Sequence, residues 1–139
     1  MSLFLLDTDT LTLLQPQNAR VIAQIAAHTA DTIDLTIVTV EEQLTGRLAV
    51  LRAAKTPADV VDASELLGAT VVSLAAFPHY HPSAASLATL DQLLAAKLNV
   101  RTSDLRIASI ALAEGATLVT RNRRDFTRVP GLTIADWAA

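Results

Sequence analysis

Short runs of uninterrupted apolar residues alternate along this chain with longer segments whose apolar residues recur at helical spacing. Leu3-Phe4-Leu5-Leu6, Leu35-Thr36-Ile37-Val38, Thr70-Val71-Val72-Ser73-Leu74 and Thr117-Leu118-Val119 read as strands, with Leu132-Thr133-Ile134 as a fifth. Strands without polar alternation have both faces buried, as in a parallel sheet whose crossover helices cover it on either side. The pattern predicts an α/β chain: three layers, α/β/α, around a central, mostly parallel sheet of four to five strands. At 139 residues, one domain over residues 1–139 is expected.

The intervening segments carry helix signals. Asn18 reads as a cap for a helix to about His28, with Val21, Ile22, Ile25 and Ala26 on one face. A helix is predicted from about Val40 to Ala54, with Leu44, Leu48 and Leu51 in register. Pro57 opens another over about residues 58–67, closing near Gly68. Pro78 and Pro82 make residues 77–82 a loop. Further helices are predicted from Ser83 to about Leu98, and from near Ser103 to Gly115.

Composition narrows the function classes. Hydrophobic residues make up 51% of the chain and charged ones 18%, which excludes a disordered, solvating chain. The absence of cysteine excludes a disulfide scaffold, a thiolate zinc site and a cysteine nucleophile, and fits a cytoplasmic protein. The opening residues are too short and uncharged a run for a signal peptide, and no apolar run reaches the roughly 18 residues of a membrane span. A formal net charge of −3 counts against a passive nucleic-acid binder. It does not count against a nuclease, whose acidic metal site subtracts charge locally while a basic rim holds phosphates.

The acids that matter sit at strand-to-helix transitions. Asp7 follows the first strand, Glu42 lies early in the helix after the second, and Asp104 opens the helix before the fourth. Asn122 and Asp125 follow that strand. In a parallel sheet these positions meet at the carboxyl rim. Clustered carboxylates repel, by roughly 4 kcal/mol for a pair 4 Å apart at an effective dielectric of 20. A cation between them removes that cost, and oxygen ligands suit Mg²⁺, with Mn²⁺ as a substitute. Singly, each residue also has a structural reading. Asp7 reads as a solvated strand end and Asp104 as a helix-opening acid. Glu42 reads as the far member of a Thr39–Glu42 capping box, and Asp125 as a turn cap or ion-pair partner.

These residues carry a resemblance. The segments Phe4–Asp9, Val38–Gly46, Asp104–Ala111 and Leu118–Phe126, continued by Val129–Leu132 and Asp136-Trp137, resemble in order and spacing the PIN-domain ribonucleases of the VapC toxin type. The resemblance implies a PIN-like fold and an Mg²⁺-dependent endoribonuclease, the toxin of a type II toxin–antitoxin pair. It implies Asp7, Glu42 and Asp104 as catalytic and metal-holding acids, and Thr8 and Thr120 as supporting hydroxyls. Glu42 fits better than Glu41 because Gly46 follows it by four residues. Asn122 stands where some members carry an aspartate, so Asn122 is expected to orient a water or a ligand and Asp125 to help indirectly, both as supporting residues. Cleavage of RNA to a 5′-phosphate and a 3′-hydroxyl, a cognate antitoxin protein and a homodimer are implied too.

Arg121, Arg123, Arg124 and Arg128 crowd one segment, Arg47 follows Glu42, and Arg101 and Arg106 flank Asp104. Arg47, Arg106, Arg121, Arg123 and Arg124 are candidate RNA contacts; the alternative is solvated faces and internal ion pairs. His79-Tyr80-His81 reads as a surface loop, Trp137 as a closure of the core edge, and Gly46 as a point of close helix packing. Two other functions stay open. One is a PIN-like scaffold that binds RNA or a partner without cutting. The other is a haloacid-dehalogenase-type phosphatase with Asp7 as nucleophile, since Asp7-Thr8-Asp9-Thr10 resembles that loop.

Overall fold

A computed structural model describes residues 2–14 and 19–139. The sheet is five-stranded and parallel throughout. Its strands are β1 (Leu3–Leu6), β2 (Thr32–Thr36), β3 (His79–Tyr80), β4 (Thr117–Val119) and β5 (Thr133–Ala135), in the order β3-β2-β1-β4-β5. The helices are α1 (Thr8–Leu14), α2 (Ala19–Ala27), α3 (Ile37–Ala53), α4 (Pro57–Ala75), α5 (Ala84–Ala95), α6 (Thr102–Glu114) and α7 (Arg123–Phe126). The predicted α/β class and parallel sheet are what the chain adopts.

Successive strand residues face opposite layers, so each apolar strand feeds two cores. Leu5 and Leu118 pack with Leu93 of α5 and with Leu105, Ile107, Ala108, Ile110 and Ala111 of α6. Leu6, Leu35 and Val119 pack on the other side with Leu11 of α1, Leu74 of α4 and Trp137. Trp137 is buried, and its ring stacks on His28 and contacts Phe4, closing the core edge as expected. Because every strand runs the same way, β1, β2 and β4 deliver their following residues to one rim.

Several elements differ from the sequence reading. The segment Thr70–Leu74 is not a strand: α4 runs through Gly68 and ends at Ala75. Thr56 caps it and Pro57 sits in its first turn. Thr70 turns its hydroxyl back onto Leu66 O at 2.8 Å, which satisfies it inside a helix. Val71 and Val72 are 50% and 73% exposed, where a central strand would bury them. The third strand of the sheet is instead the two-residue β3, within the expected loop. It pairs at the sheet edge beside β2, and Pro78 O accepts from Leu35 N at 3.1 Å.

β2 ends at Thr36, and Ile37 and Val38 belong to α3. Thr36 is the cap, its hydroxyl accepting from Thr39 N at 3.2 Å, so a Thr39–Glu42 capping box is not formed. Helices α1 and α7 have no counterpart among the predicted elements. A methyl at Gly46 would meet no heavy atom within 4 Å, so close packing does not explain that glycine. The expected Asn18 cap lies outside the described residues. Among the described residues, no helix is long and apolar enough to cross a membrane.

Candidate active site

Asp7 is the residue at which β1 becomes α1. Its N–H continues the ladder to Val119 O at 3.0 Å, and its Oδ1 accepts from Thr10 N at 2.8 Å. A carboxylate there caps the helix and meets the positive end of its dipole, which is why the polar Thr8-Asp9-Thr10 run is helical. Asp7 is only 5% exposed. Burial raises its carboxyl above the ordinary aspartate range, opposed by hydrogen bonds from Thr120 and Thr10.

Glu42 projects from the second turn of α3. Its Oε1 accepts from the Thr8 hydroxyl at 3.0 Å. Beside it, Gln43 donates from Nε2 to Thr8 O at 3.2 Å and to Thr12 Oγ1 at 2.8 Å, fastening α3 to α1. Sequence reasoning missed Gln43, a buried amide whose neighbours are more than thirty residues away. Asp104, in the first turn of α6, is buried and gripped by the Arg101 fork. Nη2 donates to Oδ1 at 3.1 Å and Nε to Oδ2 at 3.3 Å.

After β4, Thr120 is buried, donates its N–H to Ala135 O at 2.8 Å, and takes the Asn122 N–H on its hydroxyl at 2.9 Å. Asn122 caps α7. Its Oδ1 accepts from Asp125 N at 3.3 Å, and its Nδ2 donates to Asp125 Oδ2 at 3.0 Å. That bond, with Arg124 and Arg128 nearby, holds the Asp125 carboxyl below the ordinary range.

Asp7, Thr8, Asp9, Glu42, Asp104 and Asn122 line one cleft of about 200 Å³, with Arg101 at its edge and Ile107 and Phe126 as its apolar wall. Thr120 stands behind Asp7, and Asp125 behind Asn122. The expected arginines separate. Arg124 lies beside Asp125. Arg106 pairs with Glu41 at 3.3 Å, and Arg47 donates to Thr70 on α4 at 3.1 Å; neither lines the cleft. Arg121 and Arg123 are exposed. Neither Lys55 nor Lys97 reaches the cleft, which leaves a phosphatase with Asp7 as nucleophile without its lysine. A larger groove, about 420 Å³, lies between α3 and α4 but holds only aliphatic residues, Asp59 and Asp62.

The cleft's donors are all hard oxygens, which fit Mg²⁺ or Mn²⁺ and not a soft ion. They are not grouped as a finished ligand set: among the described residues, no three acids, histidines or cysteines are so arranged. The acids are instead held by protein hydrogen bonds. Arg101 occupies both oxygens of Asp104, Thr8 draws Glu42 toward α1, and the Thr10 N–H takes one oxygen of Asp7.

No family model matches the chain. Over 40 residues it is 50% identical to Ribonuclease VapC2 of Rickettsia felis; that stretch is 29% of this chain, and the chain spans about 30% of the relative's length. A VapBC structure from Salmonella typhimurium, solved bound to DNA, superimposes with a TM-score of 0.80 at 22% identity, covering 99% of both chains. VapBC-1 from nontypeable Haemophilus influenzae gives 0.79 at 19% identity, also over 99% of both. In architecture, then, this chain has the PIN-like α/β fold of the VapC-type chains.

Proposed function

We propose that this chain is the ribonuclease toxin of a VapBC-type toxin–antitoxin pair, a single-domain cytoplasmic endonuclease that uses Mg²⁺ or Mn²⁺ to hydrolyse RNA. The observation that carries this reading is the convergence of Asp7, Glu42 and Asp104, distant in sequence, on one cleft at the carboxyl rim of the sheet. The short stretch of strong identity to a ribonuclease, and a fold shared with VapBC chains, support it.

In this mechanism Asp7 and Asp104 would hold the cation, directly or through water, and Glu42 would complete the set or orient the attacking water. When bound, the ion lowers the pKa of water and offsets charge on the phosphate under attack. Thr8 aims Glu42, and Thr10 and Thr120 fix the Asp7 carboxylate. Asn122 lines the cleft while its amide ties Asp125 behind it. Ile107 and Phe126 exclude water from one wall, which strengthens the charge interactions inside. An antitoxin protein and a second copy of the chain are the proposed partners. Exposed apolar side chains on α4, among them Val60, Val61, Val71 and Val72, support an interface on that helix.

The test is cleavage of a labelled RNA by purified protein. Activity that needs Mg²⁺ or Mn²⁺, stops in EDTA and is lost in Asp7→Ala supports the proposal. Metal-independent activity, or none, sinks it. The reading as a non-catalytic scaffold draws on one observation, the uncharged amide at Asn122, and predicts RNA or partner binding without turnover.

A further inference from the structure

Beside the acidic cleft lies a second cavity of about 530 Å³, lined by Asn99, Arg101, Asn122, Arg124, Asp125 and Arg128. We propose that this cavity is a subsite for a backbone phosphate of the RNA, next to the phosphate that is cut. The inference rests on the nuclease reading of the neighbouring cleft and specifies where that cleft's substrate continues.

Arg101 and Asn122 line both cavities, so the two adjoin. Their charges are opposite. The cleft gathers the carboxylates of Asp7, Asp9, Glu42 and Asp104 around one guanidinium, Arg101, which is paired with Asp104, whereas the second cavity adds two further guanidiniums, Arg124 and Arg128, against the single carboxylate of Asp125. A polyanion crossing this surface is repelled at the first, unless a cation is bound, and attracted at the second.

The positive groups are also placed and partly free. Arg128 donates from Nη1 to Asn99 O at 2.8 Å, tying the loop before α6 to the segment after α7, and its Nη1 lies 3.6 Å from Asp125. Arg124 spends only Nε, on Asp125 at 3.3 Å, and its side chain is 82% exposed. Its terminal N–H groups face solvent in the forked geometry that matches phosphate oxygens. Asp125, held low by Asn122 and flanked by both arginines, keeps them at the cavity instead of adrift. By contrast Arg47 and Arg106 turn to Thr70 and Glu41.

The test is fluorescence anisotropy of a labelled single-stranded RNA on the full-length protein in EDTA, over a range of salt, with cleavage in Mn²⁺ measured in parallel. Arg124→Gln/Arg128→Gln should bind about tenfold more weakly. The slope of log K against log salt should flatten by about 0.7, the value for one phosphate on a single strand. Arg124→Lys/Arg128→Lys should regain most of the slope, because the contact is with charge; a purely structural role for the arginines would not be rescued so. Unchanged slope in the Gln variant, while the wild type still cuts RNA, overturns the subsite and leaves the nuclease standing. A flattened slope with no cleavage by the wild type keeps the subsite and removes the nuclease. No RNA binding by the wild type removes both. If the Gln variant instead loses a polyglutamate peptide with RNA affinity intact, the cavity serves an acidic protein and the proposal fails.

Discussion

The hydroxyl of Thr8 donates to Oε1 of Glu42 across 3.0 Å, joining the helix that follows β1 to the helix that follows β2. The bond aims a flexible acid into the cleft. Thr8→Val keeps the shape and removes the donor. RNA cleavage should fall by about 10–100-fold, as when a group supporting a ligand is lost. Thermal stability should change by less than about 1 kcal/mol, because water reaches the half-buried Glu42. Steady-state cleavage and a melting curve on the same preparation check this; full activity would mean the hydroxyl aims nothing.

Asp7→Asn, Glu42→Gln and Asp104→Asn should each lower cleavage by more than about 100-fold. For Asp7 a second signature follows from its burial. Its charge is desolvated in the metal-free protein, so Asp7→Asn should melt higher in EDTA, by about 2–4 °C for each kcal/mol relieved. A variant that melts lower in EDTA would contradict the burial argument.

Arg101 holds the same two oxygens of Asp104 that the proposed metal ion would use. Arg101→Ala should therefore bind Mn²⁺ more tightly than the wild type in titration calorimetry, by about tenfold, equivalent to about 1.4 kcal/mol. The same variant should bind RNA more weakly. Weaker Mn²⁺ binding would show that Arg101 supports the ion instead of standing in for it.

Away from the cleft, Asp34 of β2 is buried beside Tyr80 and His79, and burial raises its carboxyl above the ordinary aspartate range. The native state thus keeps this proton to higher pH than the unfolded chain, so native binds more protons within that window. Stability then falls as pH rises from about the unfolded value of 3.9 through the raised native one. Asp34→Asn, which can still accept from Tyr80, should be more stable than the wild type at pH 7, with the advantage shrinking as pH drops toward 4. Urea unfolding at both pH values measures it; an advantage independent of pH would rule out the charge as its cause.

Much of the architecture was written in local pattern. Leu3–Leu6 and Thr117–Val119 are apolar on both faces, so they had to be central, and the residues after them had to reach one rim. Gly115, at φ +63, ends α6 where the sequence placed a stop. What failed was local in signal but decided at a distance. Thr70–Leu74 has strand propensity, yet α4 packs on α3 and holds it helical, with Thr70 satisfied by Leu66 and Arg47. The edge of the sheet fell instead to His79-Tyr80, too short to carry any periodicity.

The acidic residues show the same division. That Asp7, Glu42 and Asp104 stand at the ends of strands or the starts of helices follows from order along the chain, because a parallel sheet sends equivalent ends to one side. Which atoms meet does not follow from order. Thr8 on Glu42, Gln43 on Thr12, Arg101 across Asp104 and the basic cavity beside them all depend on side-chain directions set by packing between elements. Periodicity reports which face of an element is buried; only the folded chain determines what that face is buried against.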